Sequence, residues 1–300
     1  MSMQLSPVSE RFQRFLAAIQ PTDGELAAAD RRVERIKHRL ARDFDVRRFL
    51  LVGSHWKATA VRKFSDVDLF VVVSRDEAQK WSPDGRSSTL VTRVRTSVAR
   101  SYPQTTIRRD RQAVVVRFEQ GQHGIDIVPA VFETFEESSR SPLYLIPDGA
   151  GAWIRTAPDL QKRYLEEEQA RSGRKLKSLV QMLKWWGGSR ASTSSFTSLY
   201  FEHFVASARI PVGYTYQQAL AELLAMLCDG RGGPVPDPLQ ISEAFRPTRT
   251  RLQEKALLAA AKASAARADR AVVAESRGRW VAATQPWASV FNGSFPSRRV

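Results

Sequence analysis

The sequence predicts an α/β fold, with a mixed sheet in the first half of the chain and helices in the second half. Apolar runs of strand length fall in the first half. After about residue 158 these runs end, and apolar residues recur every three or four positions instead. We therefore expect two domains, residues 1–157 with N-terminal helices and the sheet, and residues 158–300 as a helical lobe. The predicted strands cover about 49–53, 66–74, 113–119 and 124–130.

Two helices are predicted before the first strand. Phe12 and Phe15 belong to a first helical pattern, which is interrupted at Pro21–Gly24 and then resumes until about Asp45. Proline and glycine end the first helix, and Asp23 is a candidate N-cap for the second.

The helical lobe is predicted to hold five helices, a loop and an aromatic tail. The loop at Arg231–Pro238 follows from its glycine and proline content. We expect the aromatic residues of the tail, Trp280–Pro296, to pack against the protein rather than to bind a ligand. The predicted helices are 158–168, 173–186, 196–208, 216–228 and 249–274.

The chain is strongly basic, with a formal net charge of +15 and a pI near 10.5. This balance favours polyanionic partners, either nucleotides or nucleic acid. The stretch from Arg86 to Arg111 contains seven arginines, a single acidic residue, Asp110, and a single aromatic residue, Tyr102. Nucleic-acid grooves usually interleave aromatic residues with basic ones. A nucleic-acid activator is therefore compatible with the charge, but we do not expect one.

The single cysteine, Cys228, excludes an intramolecular disulfide framework and favours a reducing compartment. The sequence contains no run of 18 apolar residues, and Glu10, Arg11 and Arg14 interrupt the N-terminal segment. We expect a cytoplasmic monomer with no membrane segment.

The candidate chemistry begins at a Gly-Ser turn followed by two aspartates. Gly53 allows close approach of the backbone to a phosphate, and Ser54 adds a hydroxyl donor. Asp66 and Asp68 stand at i and i+2 at the head of an apolar strand, so both project from one face, roughly 6–7 Å apart. Such a pair suits shared divalent cations. The alternative is an ordinary turn followed by a loop-capping pair.

A third carboxylate, Asp126, is predicted in the apolar middle of a strand. Ala113–Phe118 and Gly124–Pro129 read as two strands of a hairpin joined by a turn at Gln120–Gly124. A charge among Ile and Val would be costly to bury without a partner. Three such aspartates favour a two-metal site, in which the ions lie ~3.5–4 Å apart.

These residues resemble the polymerase-β-type nucleotidyltransferase core, whose pattern is Gly-Ser, then Asp-x-Asp, then a distant third Asp. Within that superfamily the chain is most similar to the bacterial cGAS/DncV-like nucleotidyltransferases (CD-NTases) of antiphage defence. The implied fold is a polymerase-β-type nucleotidyltransferase core with a mixed sheet plus a helical C-terminal lobe. Ala58 departs from the pattern, because relatives often carry a glycine there. The resemblance is carried by Gly53-Ser54, Thr59, Ser65–Asp68, Ile125–Pro129, Ile146–Gly149, Trp153-Ile154, Leu176–Trp186, Ser198–Glu202 and Trp287–Pro296.

The resemblance implies a template-independent enzyme that joins nucleoside triphosphates into a cyclic di- or trinucleotide messenger in antiphage signalling. Asp66, Asp68 and Asp126 would be catalytic and would bind two Mg²⁺ or Mn²⁺ ions. Read without the resemblance, Lys184 is a surface lysine and Ser198 a mid-helix serine. The nucleotide-binding residues that the resemblance implies are Gly53, Ser54, Thr59, Lys184 and Ser198.

Two alternatives to cyclic products remain open at this stage. One is an enzyme that adds nucleotides to RNA or makes linear oligonucleotides, like CCA-adding enzymes and oligoadenylate synthases, which share this core. The other is an inactive core that senses nucleic acid, although all three aspartates are present.

Overall fold

A computed structural model describes residues 6–82, 85–118, 124–190 and 197–296. The chain forms two compact units, each described by itself below. The sheet unit consists of Pro21–Tyr164 and Leu239–Ser242. The helical unit consists of Met1–Gln20, Leu165–Pro238 and Glu243–Val300. This division differs from the expected boundary at 157/158, because the first N-terminal helix is grouped with the C-terminal helices.

Eleven helices are present among the described residues. In chain order they are α1 Pro7–Ile19, α2 Asp23–Asp43, α3 Gly53–Trp56, α4 Arg75–Trp81, α5 Ser88–Ala99, α6 Pro158–Arg171, α7 Leu176–Gly188, α8 Ser198–Ser207, α9 Tyr216–Cys228, α10 Arg251–Ser276 and α11 Trp280–Val290. No helix in this described part of the chain is both long and apolar enough to cross a bilayer.

Seven strands form one mixed sheet within the described part of the sheet unit. They are β1 Val46–Val52, β2 Val67–Val73, β3 Thr106–Asp110, β4 Ala113–Arg117, β5 Ile125–Phe135, β6 Pro142–Pro147 and β7 Trp153–Thr156. The order is β1-β2-β5-β4-β3, and β6 pairs with both β5 and β7. The mixed sheet and the helical second half confirm the predicted fold class.

The predicted strands are found as β1, β2, β4 and β5, but β3, β6 and β7 were not predicted. The basic stretch between Arg86 and Arg111 forms α5 and β3, neither of which was predicted. β3 lies at the sheet edge and has exposed polar residues, so it shows no apolar run. The predicted turn at Gln120–Gly124 lies outside the described residues except for Gly124.

The predicted helices are all found, but α3, α4 and α5 were not predicted, and the cap of α2 and the tail also differ from the prediction. The N-cap of α2 is Thr22 rather than Asp23. The Thr22 hydroxyl accepts a hydrogen bond from the Glu25 amide, and the Glu25 carboxylate accepts one from the Thr22 amide. The tail contains an additional helix, α11. Its Trp287 packs edge-on against Phe12, with ring centroids 4.9 Å apart, which confirms that the tail aromatics pack.

The sheet places alternate side chains of each strand on opposite faces. On β2, Val67, Leu69 and Val71 join a core formed with α2 and α5. Phe70 and Val72 join a second core on the other face. The same alternation sets the direction of every polar side chain at the ends of these strands.

Candidate active site

The Gly-Ser turn lies beside Asp68 because β1 is antiparallel to β2. Val52, the last residue of β1, pairs with Asp68 near the start of β2, and Gly53 follows at once. Gly53 has φ +66°, which is left-handed, and a Cβ there would lie 1.9 Å from Asp68 Oδ2. Only glycine satisfies both the backbone angle and the contact. The turn therefore holds the backbone directly against the carboxylate.

Asp68 and Asp126 lie side by side at the starts of two parallel strands. β2 and β5 are parallel, and their register pairs Asp68 with Asp126. Asp68 and Asp126 each lie two residues before Phe70 and Val128, so they share the face of the sheet that carries the second core. Asp126 is the second residue of β5, so its predicted position in the middle of a strand was wrong. Asp66 immediately precedes β2 rather than lying within it.

Asp66 is held by the backbone and by a side chain that the sequence did not single out. Its Oδ1 accepts a hydrogen bond from the Gly124 amide at 2.9 Å. Its Oδ2 lies 2.6 Å from Nη1 of Arg117, which is also 3.7 Å from Asp126 Oδ1. Arg117 ends β4 and shares the alternation of Val115, the residue that pairs with Asp126. The alternation of side chains along β4 was the available sequence signal. It identifies Arg117 only when the pairing register of β4 with β5 is known.

Asp126 is a partly buried carboxylate with a raised pKa. Burial raises its pKa to about 6 from 3.8, and the charge of Asp66 acts in the same direction while Arg117 opposes it. Its Oδ1 is buried and has no hydrogen-bond partner among the described residues. A buried carboxylate oxygen of this kind is costly unless a cation or donor reaches it.

Replacing Asp126 with asparagine is expected to stabilise the metal-free protein. A carboxyl whose pKa is higher in the folded than in the unfolded state penalises folding when it is ionised, above pH 6. The penalty disappears as the pH falls from about 6 to about 4. At pH 7.5, Asp126→Asn should raise the free energy of unfolding by up to about 3 kcal/mol, and the gain should fall to about 1 kcal/mol at pH 4.5. Urea unfolding in EDTA at both pH values measures this, and an equal gain at both would contradict it.

The three carboxylates are not arranged as a ready-made metal site. Within the described ranges, no three His, Cys, Asp or Glu side chains converge closely enough to hold a metal ion. The physical reason is that the Arg117 guanidinium stands between Asp66 and Asp126, and the Asp66 carboxylate turns toward the Gly124 amide. The residues nevertheless fit a hard cation. They supply carboxylate oxygens as metal ligands, and one of these, Asp126 Oδ1, is buried and accepts no hydrogen bond from the described residues. Gly53 also places the backbone directly against the Asp68 carboxylate.

Two of the predicted nucleotide contacts, Ser54 and Thr59, belong to the buried loop that follows β1. Ser54 is in α3, and its carbonyl accepts from the Thr59 amide at 2.9 Å. Thr59 itself is fully buried, so its side chain is not available to a nucleotide as placed. Ala58 has φ +57°, the left-handed conformation that suits the glycine of relatives.

Replacing Gly53 with alanine is expected to damage both stability and the site. The new Cβ would collide with the Asp68 carboxylate in addition to the left-handed strain. We expect a loss of more than about 2 kcal/mol in the free energy of unfolding, against about 1 kcal/mol for strain alone. Gly278→Ala is the matched control, because Gly278 has φ +70° and open space around it. Equal losses in the two variants, measured by urea unfolding, would refute the contact with Asp68.

The other two predicted nucleotide contacts, Lys184 and Ser198, belong to the helical unit. Lys184 lies inside α7, where its side chain is 4% exposed and its Nζ donates to Glu202 Oε1 at 2.7 Å. A buried ammonium held by a buried carboxylate is not free to bind phosphate, so the structure does not support this contact. Ser198 is exposed and is the first residue of α8, which begins two residues later than the predicted helix 196–208. Free amides at such an end favour anions.

The Second Messenger Oligonucleotide or Dinucleotide Synthetase (SMODS) domain matches residues 6–168, which is more than half of the chain. The chain belongs to the SMODS family. The SMODS match contains Asp66, Asp68 and Asp126, and it confirms the resemblance to the cGAS/DncV-like nucleotidyltransferases.

Two curated relatives and a solved structure illustrate the likeness of this SMODS chain to other proteins. A probable cyclic nucleotide synthase of Bacillus cereus (strain VD146) is 24% identical over 48% of this chain and 50% of that protein. The cyclic AMP-AMP-AMP synthase of Escherichia coli (strain MS 115-1) is 24% identical over 48% of this chain and 43% of that protein. The chain thus spans about half the length of these relatives. CdnC of E. coli MS115-1, solved with ATP, is 18% identical with a TM-score of 0.70, covering 96% of this chain and 98% of that one.

Proposed function

We propose that this chain is a template-independent nucleotidyltransferase that joins nucleoside triphosphates into a cyclic di- or trinucleotide messenger in antiphage signalling. The observation that carries the proposal is the pairing of Asp68 with Asp126 at the starts of two parallel strands, with Asp66 two residues before Asp68. The SMODS family, and the cyclic nucleotide synthases among the relatives, support the same chemistry.

In this proposal the three aspartates hold two divalent ions, Mg²⁺ or Mn²⁺. Asp66 and Asp68 would bind the ion that accompanies the triphosphate, and Asp126 would join them around the second. When bound, the ions would neutralise charge on the attacking and leaving oxygens of the displacement. The Gly53 turn would bring backbone amides close to the phosphates, since no side chain intervenes there.

The protein's own groups then position the reactants and move one proton. Asp126 Oδ1 is buried and accepts no hydrogen bond from the described residues, so it is placed to accept the proton of the attacking hydroxyl. Its pKa near 6 makes the carboxylate a stronger base than an ordinary aspartate, while leaving it ionised at neutral pH. The phosphodiester bond forms as pyrophosphate leaves. Most of the rate gain comes from positioning of the reactants and from charge neutralisation.

The predicted phosphate contacts are revised by burial. We keep Ser54, whose turn is joined to Gly53, and Ser198, which is exposed at the start of α8. We do not keep Lys184, because its side chain is buried and bonded to Glu202, or Thr59, which is 0% exposed, whereas Ser54 retains 8% exposure.

The proposal is tested by product analysis with the full chain. Each α-labelled nucleoside triphosphate, singly and in mixtures, is incubated with Mg²⁺ or Mn²⁺ and without nucleic acid, and the products are then treated with phosphatase. Cyclic products keep their label because they have no terminal phosphate. Asp126→Asn serves as the inactive control. A product whose mobility changes after phosphatase treatment, because it loses a 5′ triphosphate, would instead establish linear oligonucleotides and would refute cyclisation. Label incorporated only when RNA is added would establish addition to RNA ends.

A further inference from the structure

Arg117 is the one charged side chain in the sheet unit that contacts two of the predicted catalytic carboxylates in the described structure. Its Nη1 is 2.6 Å from Asp66 Oδ2 and 3.7 Å from Asp126 Oδ1. The position follows from the fold, since Val115 pairs with Asp126 and Arg117 lies two residues further along β4 on the same face. The guanidinium therefore occupies the space between a carboxylate on the β2 side and one on β5.

The neighbouring strand leaves room for this arrangement at Gly124. A Cβ on Gly124 would lie 2.0 Å from Arg117 Nη1 and 2.6 Å from Asp66 Oδ1. The Gly124 amide also donates to that same Asp66 oxygen. One glycine therefore both positions the carboxylate and leaves space for the guanidinium, so the contact is built into the strand rather than being a chance meeting of surface side chains.

We propose that Arg117 is an internal counter-cation that competes with the divalent ion for Asp66 and Asp126. Without metal, the guanidinium neutralises part of the charge of two carboxylates that would otherwise repel each other. A divalent ion placed between the same oxygens must displace it, because the two cations cannot share that space. Arg117 therefore weakens the binding of free metal. This inference rests on the metal site of the proposed function.

The competition predicts that removing Arg117 tightens the binding of Mn²⁺ to the protein alone. Arg117→Gln in the full chain, titrated with Mn²⁺ without nucleotide and followed by the electron paramagnetic resonance of free Mn²⁺, should bind about fivefold more tightly or better, equivalent to roughly 1 kcal/mol. Arg117→Lys keeps the charge but loses the planar fork, so its affinity should lie between those of Arg117→Gln and the unmodified protein.

The control separates direct contact from the general loss of a positive charge. Arg108→Gln removes one charge from the adjacent strand β3, where Arg108 is paired with Asp110 at 3.7 Å and acts on Asp126 only through longer-range electrostatics. Its Mn²⁺ affinity should stay within about twofold of the unmodified protein, because screening weakens charges that are not in contact. Equal tightening in Arg108→Gln and Arg117→Gln would overturn the proposal.

Two further measurements keep the result interpretable. Thermal unfolding without metal should show Arg117→Gln folded but less stable than the unmodified protein, and added Mn²⁺ should reverse the loss. Unchanged Mn²⁺ affinity in folded Arg117→Gln would refute the competition while leaving the metal site in place. Binding of Mn²⁺ that persists undiminished in Asp66→Asn would refute the proposed metal site itself, and the competition with it.

Discussion

Replacing Asp66 or Asp68 with asparagine is expected to reduce kcat/KM for product formation by at least ~10³-fold, equivalent to about 4 kcal/mol of transition-state stabilisation. Asparagine keeps the shape of the side chain and, at Asp66, the oxygen that accepts from the Gly124 amide. What it removes is the negative charge that a divalent ion requires. The loss should therefore appear in the chemistry and not in the fold.

The measurement is the initial rate of conversion of labelled nucleoside triphosphates at saturating Mg²⁺, with circular dichroism and thermal unfolding as checks on folding. Asp76→Asn is the matched control, because Asp76 is an exposed carboxylate in the first turn of α4. That variant should keep at least about half of the activity. Near-normal turnover in folded Asp66→Asn or Asp68→Asn would rule out the two-metal assignment.

The three aspartates Asp66, Asp68 and Asp126 are the part of the candidate site that the sequence could single out. The i, i+2 spacing of Asp66 and Asp68 fixes a shared direction, and apolar neighbours mark both strands as buried. The starts of the strands could be located to within one or two residues, but not closely enough to place Asp66 outside β2 or Asp126 at the second position of β5.

Arg117 could not be predicted, because its role depends on register. In sequence it is the last residue of an apolar run, which is an ordinary place for a solvated charge. The structure places it across from Gly124, and the hairpin register then directs it toward Asp126. Register is a property of two strands together, and neither strand specifies it alone.

Edge strands and buried polar pairs were missed for related reasons. β3 carries Arg108 and Arg109 on exposed positions of an edge, so the pattern of a buried strand is absent. Lys184 was predicted as a phosphate contact because the resemblance implied it, and the sequence alone suggested a surface lysine rather than a buried one. Its partner Glu202 is 18 residues away on another helix, and tertiary packing alone brings the two together.

The buried pair of the helical unit leads to the second large effect, which is on stability. Lys184→Met is expected to lower the free energy of unfolding by about 3–5 kcal/mol, because it leaves Glu202 as a buried charge without this partner. The two side chains are 4% and 2% exposed and lie 2.7 Å apart. Lys177→Met is the matched control on the same helix, since Lys177 pairs with the half-exposed Glu166 at 2.8 Å. Exposed pairs of that kind contribute about 0–1 kcal/mol.

Urea unfolding of the single variants and of the double variant Lys184→Met with Glu202→Leu decides between a structural and a ligand-binding role. If the lysine serves the fold, the double variant should regain most of the lost stability, since replacing both members of a buried pair with apolar groups is close to neutral. It should also bind nucleoside triphosphate as the unmodified protein does. A double variant that is stable but binds triphosphate at least about tenfold more weakly would return Lys184 to the phosphate-binding role that the sequence predicted. Full stability of Lys184→Met alone would show that the pair does not hold α7 and α8 together.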